Sequence, residues 1–208
     1  MPAMRFITSL ISVSVLIAGF GAAHAQEAKP LPKPDATTKR AVPGPLATQD
    51  ERLDSLFARL KRERSTEEAR AISNEIREVF TISGSATIDL LMQNSSRAVN
   101  EKRYGAALDF LDQVTLIAPD FAEGWNRRAT IHYLLGNYPK SMSDCARVLA
   151  LEPRHLGALS GIAGILQETG RDRQALAAWE AYLAYYPADR EAQQQTIELM
   201  NKLAGQKT

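Results

Sequence analysis

A fixed spacing of 34 residues organises the C-terminal half of this 208-residue chain. Pro119, Pro153 and Pro187 are separated by 34 residues each time. The segments before these prolines keep the same spacing in two further columns, one of small residues and one of bulkier residues four positions later. These columns are Ala107, Ser141 and Ala175, followed by Leu111, Cys145 and Trp179. A proline-terminated period of this length predicts a helix-turn-helix repeat.

The first helix predicted in each repeat carries a second pattern. Counted from Ile88, Ala122 and Leu156, the fourth residue is large and the eighth is small. The pairs are Leu91 with Ser95, Trp125 with Ala129, and Leu159 with Ala163. Residues four apart lie on one face of a helix, so large and small side chains of neighbouring helices can interdigitate. We therefore predict repeats at 88–121, 122–155 and 156–188, with both tryptophans in the core.

These columns resemble the tetratricopeptide repeat (TPR) family over about residues 88–188. Segments such as "FAEGWNRRATIHYLLGNY" and "ALEPRHLGALSG" carry the resemblance. The sequence departs from the family at position 8 of the first repeat, Ser95, and at position 11, where Ala98, His132 and Leu166 replace the usual aromatic. The resemblance implies an all-α fold, a right-handed superhelix (α-solenoid) of three TPR helix pairs. Its concave side is then expected to hold peptide segments of partner proteins.

The ends of the repeat region have their own patterns. Helical spacing of apolar residues predicts an N-terminal helical hairpin at 49–84, and residues 189–204 read as a C-terminal capping helix that closes the last apolar face. We expect the hairpin and the repeats to stack as eight array helices. Each pair would cover its neighbour's apolar face. Five prolines and few large apolar residues predict a Pro-rich disordered linker at 26–48.

The first 25 residues have the features of a secretory signal peptide. Arg5 precedes an apolar run from Phe6 to Phe20, and "AHA" at 23–25 forms a small-residue cleavage signal before Gln26. An uncleaved anchor is the alternative, but the run is shorter than the roughly 20 residues a spanning helix needs. We expect export to the periplasm with no stable membrane insertion after cleavage. The whole layout also resembles small exported repeat proteins of alphaproteobacteria, which implies a role in the cell envelope.

Composition argues against several functional classes. Arg5 is the one charged residue before Gln26, so the mature chain has 24 basic and 24 acidic residues and no electrostatic footprint for nucleic acid. Cys145 has no partner for an internal disulfide, which leaves a buried thiol or a link between two chains. His132 and His155 fall at structural positions rather than beside a nucleophile or other ligands. We expect a protein that is not an enzyme and binds no cofactor or metal.

One strip of the repeats remains as a candidate binding groove. Positions 5, 9 and 12 of the first helices lie about 100° from the packing positions. The predicted groove consists of Met92, Ser96, Val99, Asn126, Arg127, Thr130, Tyr133, Ser160, Gly164 and Gln167. Its amides and hydroxyls can pair with a partner's backbone, Met92 and Tyr133 can make apolar contacts, and Arg127 at position 6 can meet an acidic group. The alternative is an ordinary solvated face.

The sequence therefore predicts a periplasmic, non-enzymatic module that binds a protein or peptide partner and supports the cell envelope. The family's carboxylate clamp is not expected, because only Asn126 and Arg127 match its pattern. The alternative function is a structural subunit that forms homo-oligomers through its convex face and its N-terminal hairpin. Asn126 and Tyr133 are expected to face solvent in the free protein.

Overall fold

The computed structural model describes residues 48–205, which form nine α-helices and no strand. The helices are α1 (Gln49–Arg62), α2 (Thr66–Phe80), α3 (Ala86–Asn100), α4 (Tyr104–Ile117), α5 (Ala122–Leu134), α6 (Tyr138–Leu151), α7 (Leu156–Glu168), α8 (Asp172–Leu183) and α9 (Arg190–Gly205). The expected signal peptide and the linker up to residue 47 lie outside the described residues. The fold is all-α and superhelical, with repeat pairs α3/α4, α5/α6 and α7/α8.

Local sequence signals explain where the helices begin and turn. Thr48 caps α1 through a capping box, in which its hydroxyl accepts from the Glu51 N–H at 3.2 Å and its own N–H donates to the Glu51 carboxylate at 2.8 Å. The turn inside each repeat needs a left-handed residue, and Gly136 and Gly170 provide it with φ of 71°. Lys102 occupies the same turn of the first repeat with φ of 57°. That turn is therefore strained in the first repeat alone.

Neighbouring repeats are joined by small, buried side chains. Cys145 is 2% exposed and packs with Ala129, Val148 and Ala158, which belong to α5, α6 and α7. Burial raises the pKa of the Cys145 thiol to about 11, so the thiol stays protonated. A buried, protonated thiol opposes the disulfide between chains that the sequence left open.

The two tryptophans are half-buried and do not lie fully in the core, as the sequence pattern had suggested. The Trp125 indole donates to the Pro119 carbonyl at 3.1 Å, and the Arg128 guanidinium lies 4.6 Å from the ring centroid. Trp179 packs at a right angle to Tyr182, at 5.7 Å between ring centroids. Each indole lies at a packed edge where one face of the ring meets solvent.

The N-terminal hairpin packs in a different place from the one expected. Its apolar face, which includes Leu60, Ile76 and Phe80, forms one cluster with side chains of α7, α8 and α9. The array partners in this cluster are Leu156, Leu159, Tyr182, Tyr186, Ala188 and Ala192. The expectation that α1 and α2 stack ahead of α3 as the first layer of the array is therefore wrong. The hairpin is fixed to the third repeat and the last helix, because those elements offer the larger matching apolar surface.

Polar contacts fasten the hairpin at the same edge of the array. Arg154, in the loop before α7, donates to the Asp54 carboxylate at 2.5 Å, and its guanidinium lies 4.7 Å from the centroid of Phe57. Arg190 at the start of α9 donates to the Thr66 hydroxyl at 3.0 Å. These contacts join residues 100 or more positions apart in the chain.

We predict that Ile76→Ala lowers the free energy of unfolding by about 2 to 5 kcal/mol, because a side chain that is 1% exposed leaves a cavity between the hairpin and the array. Urea unfolding followed by circular dichroism should still show one transition. The matched control is Ile197→Ala, at a position that is 51% exposed, which should change stability by well under 1 kcal/mol. A separate early transition in the Ile76 variant would mean that the hairpin folds independently of the repeats.

We predict that Lys102→Gly stabilises the protein by about 1 kcal/mol, because glycine adopts the left-handed conformation without the steric cost that lysine carries. The comparison is with Lys140→Gly, a helical position in α6, which should destabilise by a similar amount. Denaturant unfolding of both variants measures the two effects. Destabilisation by Lys102→Gly would show that the lysine side chain makes a compensating contact.

Candidate functional site

The predicted groove residues lie on α3, α5 and α7, and the structure separates them into three parts. Met92 does not belong to any of them. Its side chain is 6% exposed and packs with Ile88, Leu111 and Val114 in the core of the first repeat. The prediction that Met92 offers an apolar contact to a partner is wrong, because α3 turns this residue towards α4.

The first part of the groove is a depression between α3 and α5. Ser96, Val99, Asn126, Arg127 and Thr130 line it, as the sequence pattern predicts. Three further residues, Asn100, Ile131 and Leu134, complete its lining. Leu134 is 53% exposed, so the depression presents an apolar contact that the sequence reasoning missed.

The omitted residues share a sequence signal. Asn100, Leu134 and Glu168 all occupy position 13 of a first helix, one residue beyond the strip that was predicted. Position 13 follows position 9 by four residues, so it lies on the same helical face. Extending the strip by one residue would have found all three.

A buried carboxylate supports the floor of the depression. Glu123 is 6% exposed and accepts hydrogen bonds from the Asn126 amide and from Nε of Arg127, both at 2.9 Å. Burial favours the neutral acid, but the hydrogen bonds and charges of His155 and Arg127 outweigh it and lower the pKa of Glu123. Arg127 also donates to the Ser96 hydroxyl at 2.8 Å. Its charge is thus paired inside the protein, which leaves less of it for an acidic group of a partner.

His155 connects this network to the hairpin. Its Nδ1 accepts from the Ala158 N–H at 3.3 Å, so the neutral ring carries its proton on Nε2, which lies 3.5 Å from the Glu123 carboxylate. The ring of Phe80 in α2 stacks on the imidazole at 4.6 Å between centroids. His155 is therefore a structural residue that holds α2, α5 and α7 in register.

The second part of the groove is an aromatic pair with a carboxylate. The Tyr133 and Tyr138 rings are 5.8 Å apart at 32°, and both phenols donate to the carboxylate of Glu168. These hydrogen bonds raise the pKa of Tyr133 to about 12 and lower that of Glu168. Glu168 is exposed, and no basic side chain within residues 48–205 forms an ion pair with it.

The third part of the groove lies along α7. Gln167 donates to Gln195 of α9 at 2.7 Å and accepts from the Trp179 indole at 3.2 Å, so its amide joins three helices. At Gly164 an added Cβ would meet nothing within 4 Å, which leaves open space on the same helical face.

The hairpin closes one side of this part of the groove. Ser160 and Asn126 share a pocket with Ile76, Arg77 and Phe80 of α2. Asn126 and Tyr133 are both half-buried and hydrogen-bonded, rather than solvent-facing as predicted.

Two classes of site are not found in the part of the chain that the structure describes. No group of three or more histidine, cysteine, aspartate or glutamate side chains there could hold a metal ion. Within the same residues, none of the helices combines the length and the apolar character needed to cross a membrane.

The three helix pairs of 34 residues, closed by α9, place the protein in the class of helical-repeat proteins, and comparison with known proteins gives the family. No protein-family model matches the chain. A TPR repeat-containing protein of Rhizobium etli is 57% identical over 158 residues, which are 76% of this chain and 78% of the relative. The chain belongs to the TPR family.

Solved structures agree on the fold. The first TPR of Spaghetti bound to an HSP90 peptide matches with a TM-score of 0.54 at 20% identity, over 58% of this chain and 98% of that one. The Sgt2 TPR domain from Aspergillus fumigatus gives 0.53 at 19% identity, over 58% and 81%. The TPR2B domain of yeast Sti1, in complex with pHsp70, gives 0.52 at 17% identity, over 57% and 99%.

We predict that Glu123→Gln flattens the pH dependence of stability below the ordinary glutamate pKa near 4.5. A carboxyl whose pKa is lowered by folding stabilises the protein above its unfolded pKa, and this contribution is lost as the pH falls through the folded pKa. At pH 7 the variant should be less stable by about 1 to 3 kcal/mol, because it weakens the hydrogen bonds from Asn126 and Arg127.

The measurement is denaturant unfolding at several pH values between 7 and 3. The matched control is Glu180→Gln, at an exposed carboxylate on α8. It should follow the parent protein at every pH. A constant difference between parent and Glu123→Gln from pH 4.5 to pH 3 would show that Glu123 is not the group responsible.

Proposed function

We propose that this protein is a non-enzymatic scaffold that holds a peptide segment of a partner protein in the groove formed by α3, α5 and α7. The depression between α3 and α5 carries the proposal. Val99, Ile131 and Leu134 give it apolar contacts, while Ser96, Asn100 and Thr130 add hydroxyl and amide groups that can pair with an extended backbone. Two TPR structures with the same fold are complexes with an HSP90 peptide and with pHsp70.

The groove is already organised in the free protein. Glu123 fixes Asn126 and Arg127 by hydrogen bonds of 2.9 Å, and Arg127 reaches across to Ser96 on α3 at 2.8 Å. Because α3 and α5 are held together in this way, a partner segment would meet a preformed surface. Binding to a preformed surface avoids part of the ordering cost that a flexible site carries.

The proposal includes export to the periplasm and a role in the cell envelope. Its support is the signal-peptide pattern of residues 1–25, where Arg5 precedes an apolar run and a small-residue cleavage signal. A zero net charge after cleavage suits recognition of a protein segment better than recognition of nucleic acid.

Self-association is the second candidate function, and one observation favours it. Since the hairpin packs on the third repeat, the first repeat keeps large apolar side chains in solvent. Leu90, Leu116 and Ile117 are 56%, 80% and 58% exposed. Exposed apolar side chains of this size occur at surfaces that bind another protein, including a second copy of the same chain.

Site-specific photocrosslinking in intact cells separates the two candidates. A photoreactive amino acid is placed at Thr130 in the groove, at Leu116 on the first repeat and at Gln194 on α9, all three of them exposed. The groove proposal expects one heteromeric adduct from Thr130 and none from Gln194. A homomeric adduct from Leu116, without an adduct from Thr130, would support self-association and contradict the groove proposal.

We predict that Leu134→Asp weakens binding of the partner identified in this way at least tenfold, or about 1.4 kcal/mol, because a charge replaces the apolar contact in the depression. The matched control is Leu135→Asp. This neighbouring residue is 43% exposed and lies outside the depression. Isothermal titration with the purified partner measures both, and equal affinity of the two variants would place the binding site elsewhere.

A further inference from the structure

The aromatic pair Tyr133 and Tyr138, together with Glu168, has the composition of a site for a cation. The two rings lie 5.8 Å apart and are inclined at 32°, so both present faces and edges to the same region of the groove. Aromatic rings attract ammonium and guanidinium groups through the negative potential of their faces. A carboxylate at the edge of the rings adds a direct ion pair to that attraction.

Glu168 is held ready to accept such a group. Both phenols donate to its carboxylate, which fixes the side chain and favours its ionised form. A carboxylate has about four lone-pair positions, so two phenols leave acceptor capacity free. The side chain is exposed, and no lysine or arginine in the described part of the chain lies within ion-pair distance of it.

The rest of the groove agrees with a basic ligand. Arg127, the basic residue predicted to meet an acidic partner, is paired with Glu123 at 2.9 Å. Gly164 lies one helical turn before Glu168 and leaves open space beside the carboxylate. A long side chain that carries a terminal positive charge can therefore approach Glu168 over the face of α7.

We propose that Tyr133, Tyr138 and Glu168 bind a lysine or arginine side chain, so that the partner segment taken by the groove is basic. This inference rests on the proposed function and specifies the chemistry of the partner. The tyrosine rings and the carboxylate select positive charge, and the depression between α3 and α5 receives the apolar residues next to it.

The test uses the chain from Gln26 to Thr208 and two fluorescein-labelled synthetic peptides of twelve residues. One consists of four Gly-Ser-Lys units, and the other replaces each lysine by glutamate. Fluorescence anisotropy at low salt should detect the lysine peptide and not the glutamate peptide. Glu168→Gln should weaken binding about tenfold and Tyr138→Leu about fivefold, and added salt should weaken the parent's binding because the site is exposed.

Glu180→Gln is the matched control, since it removes one exposed carboxylate of α8 and should leave the affinity within twofold of the parent. Thermal unfolding of each variant verifies the fold. Equal binding of the two peptides, or unchanged affinity of Glu168→Gln, would overturn the cation site. A heteromeric adduct from Thr130 together with either result would show that the groove binds a partner of other chemistry.

The protein's own linker is the alternative occupant, because it contains Lys29, Lys33, Lys39 and Arg40. A variant with these four residues changed to glutamine distinguishes it from a partner. If the lysine peptide binds this variant and fails to bind the parent, the linker occupies the site and the assignment to a partner protein is overturned. Equal affinity of parent and variant supports a separate partner.

Discussion

Burial of the hairpin against the third repeat is the contact on which the remaining structure depends. Leu60 and Ile76 are 0% and 1% exposed, and they lie in one cluster with Leu156, Leu159 and Tyr182. The apolar faces of two short helices would otherwise be left in water, at a cost of roughly 25 cal/mol for each Å². The hairpin, the third repeat and the last helix therefore form a single core, and the first repeat is left with an uncovered face.

The same contact shapes the groove. Phe80 brings the hairpin onto His155, and His155 faces the carboxylate of Glu123, which orients Asn126 and Arg127. A buried carboxylate is stable only when its partners are in place. Packing at the edge of the array is thus linked to the geometry of the groove through one chain of contacts.

Charge is distributed unevenly along the groove. Near α3 the positive group, Arg127, is paired with Glu123 in the protein, whereas near α8 the carboxylate of Glu168 is held by two phenols and faces solvent. A partner segment would meet apolar and uncharged groups at one end and a negative group at the other. This polarity gives the groove a means of fixing the direction in which an extended segment lies.

The sequence alone determined the repeat architecture, because a 34-residue period is imposed by local helix geometry and by prolines that end the helices. It also placed Asn126, Thr130 and Tyr133 on one strip, since a fixed angle relates successive residues of a helix. Only the tertiary structure decided that Met92 is buried, that the hairpin packs on the third repeat, and that Tyr138 and Glu168 join Tyr133. Those outcomes depend on contacts between residues far apart in the chain, where competing apolar surfaces choose their partners by fit and area, and no local pattern records that choice.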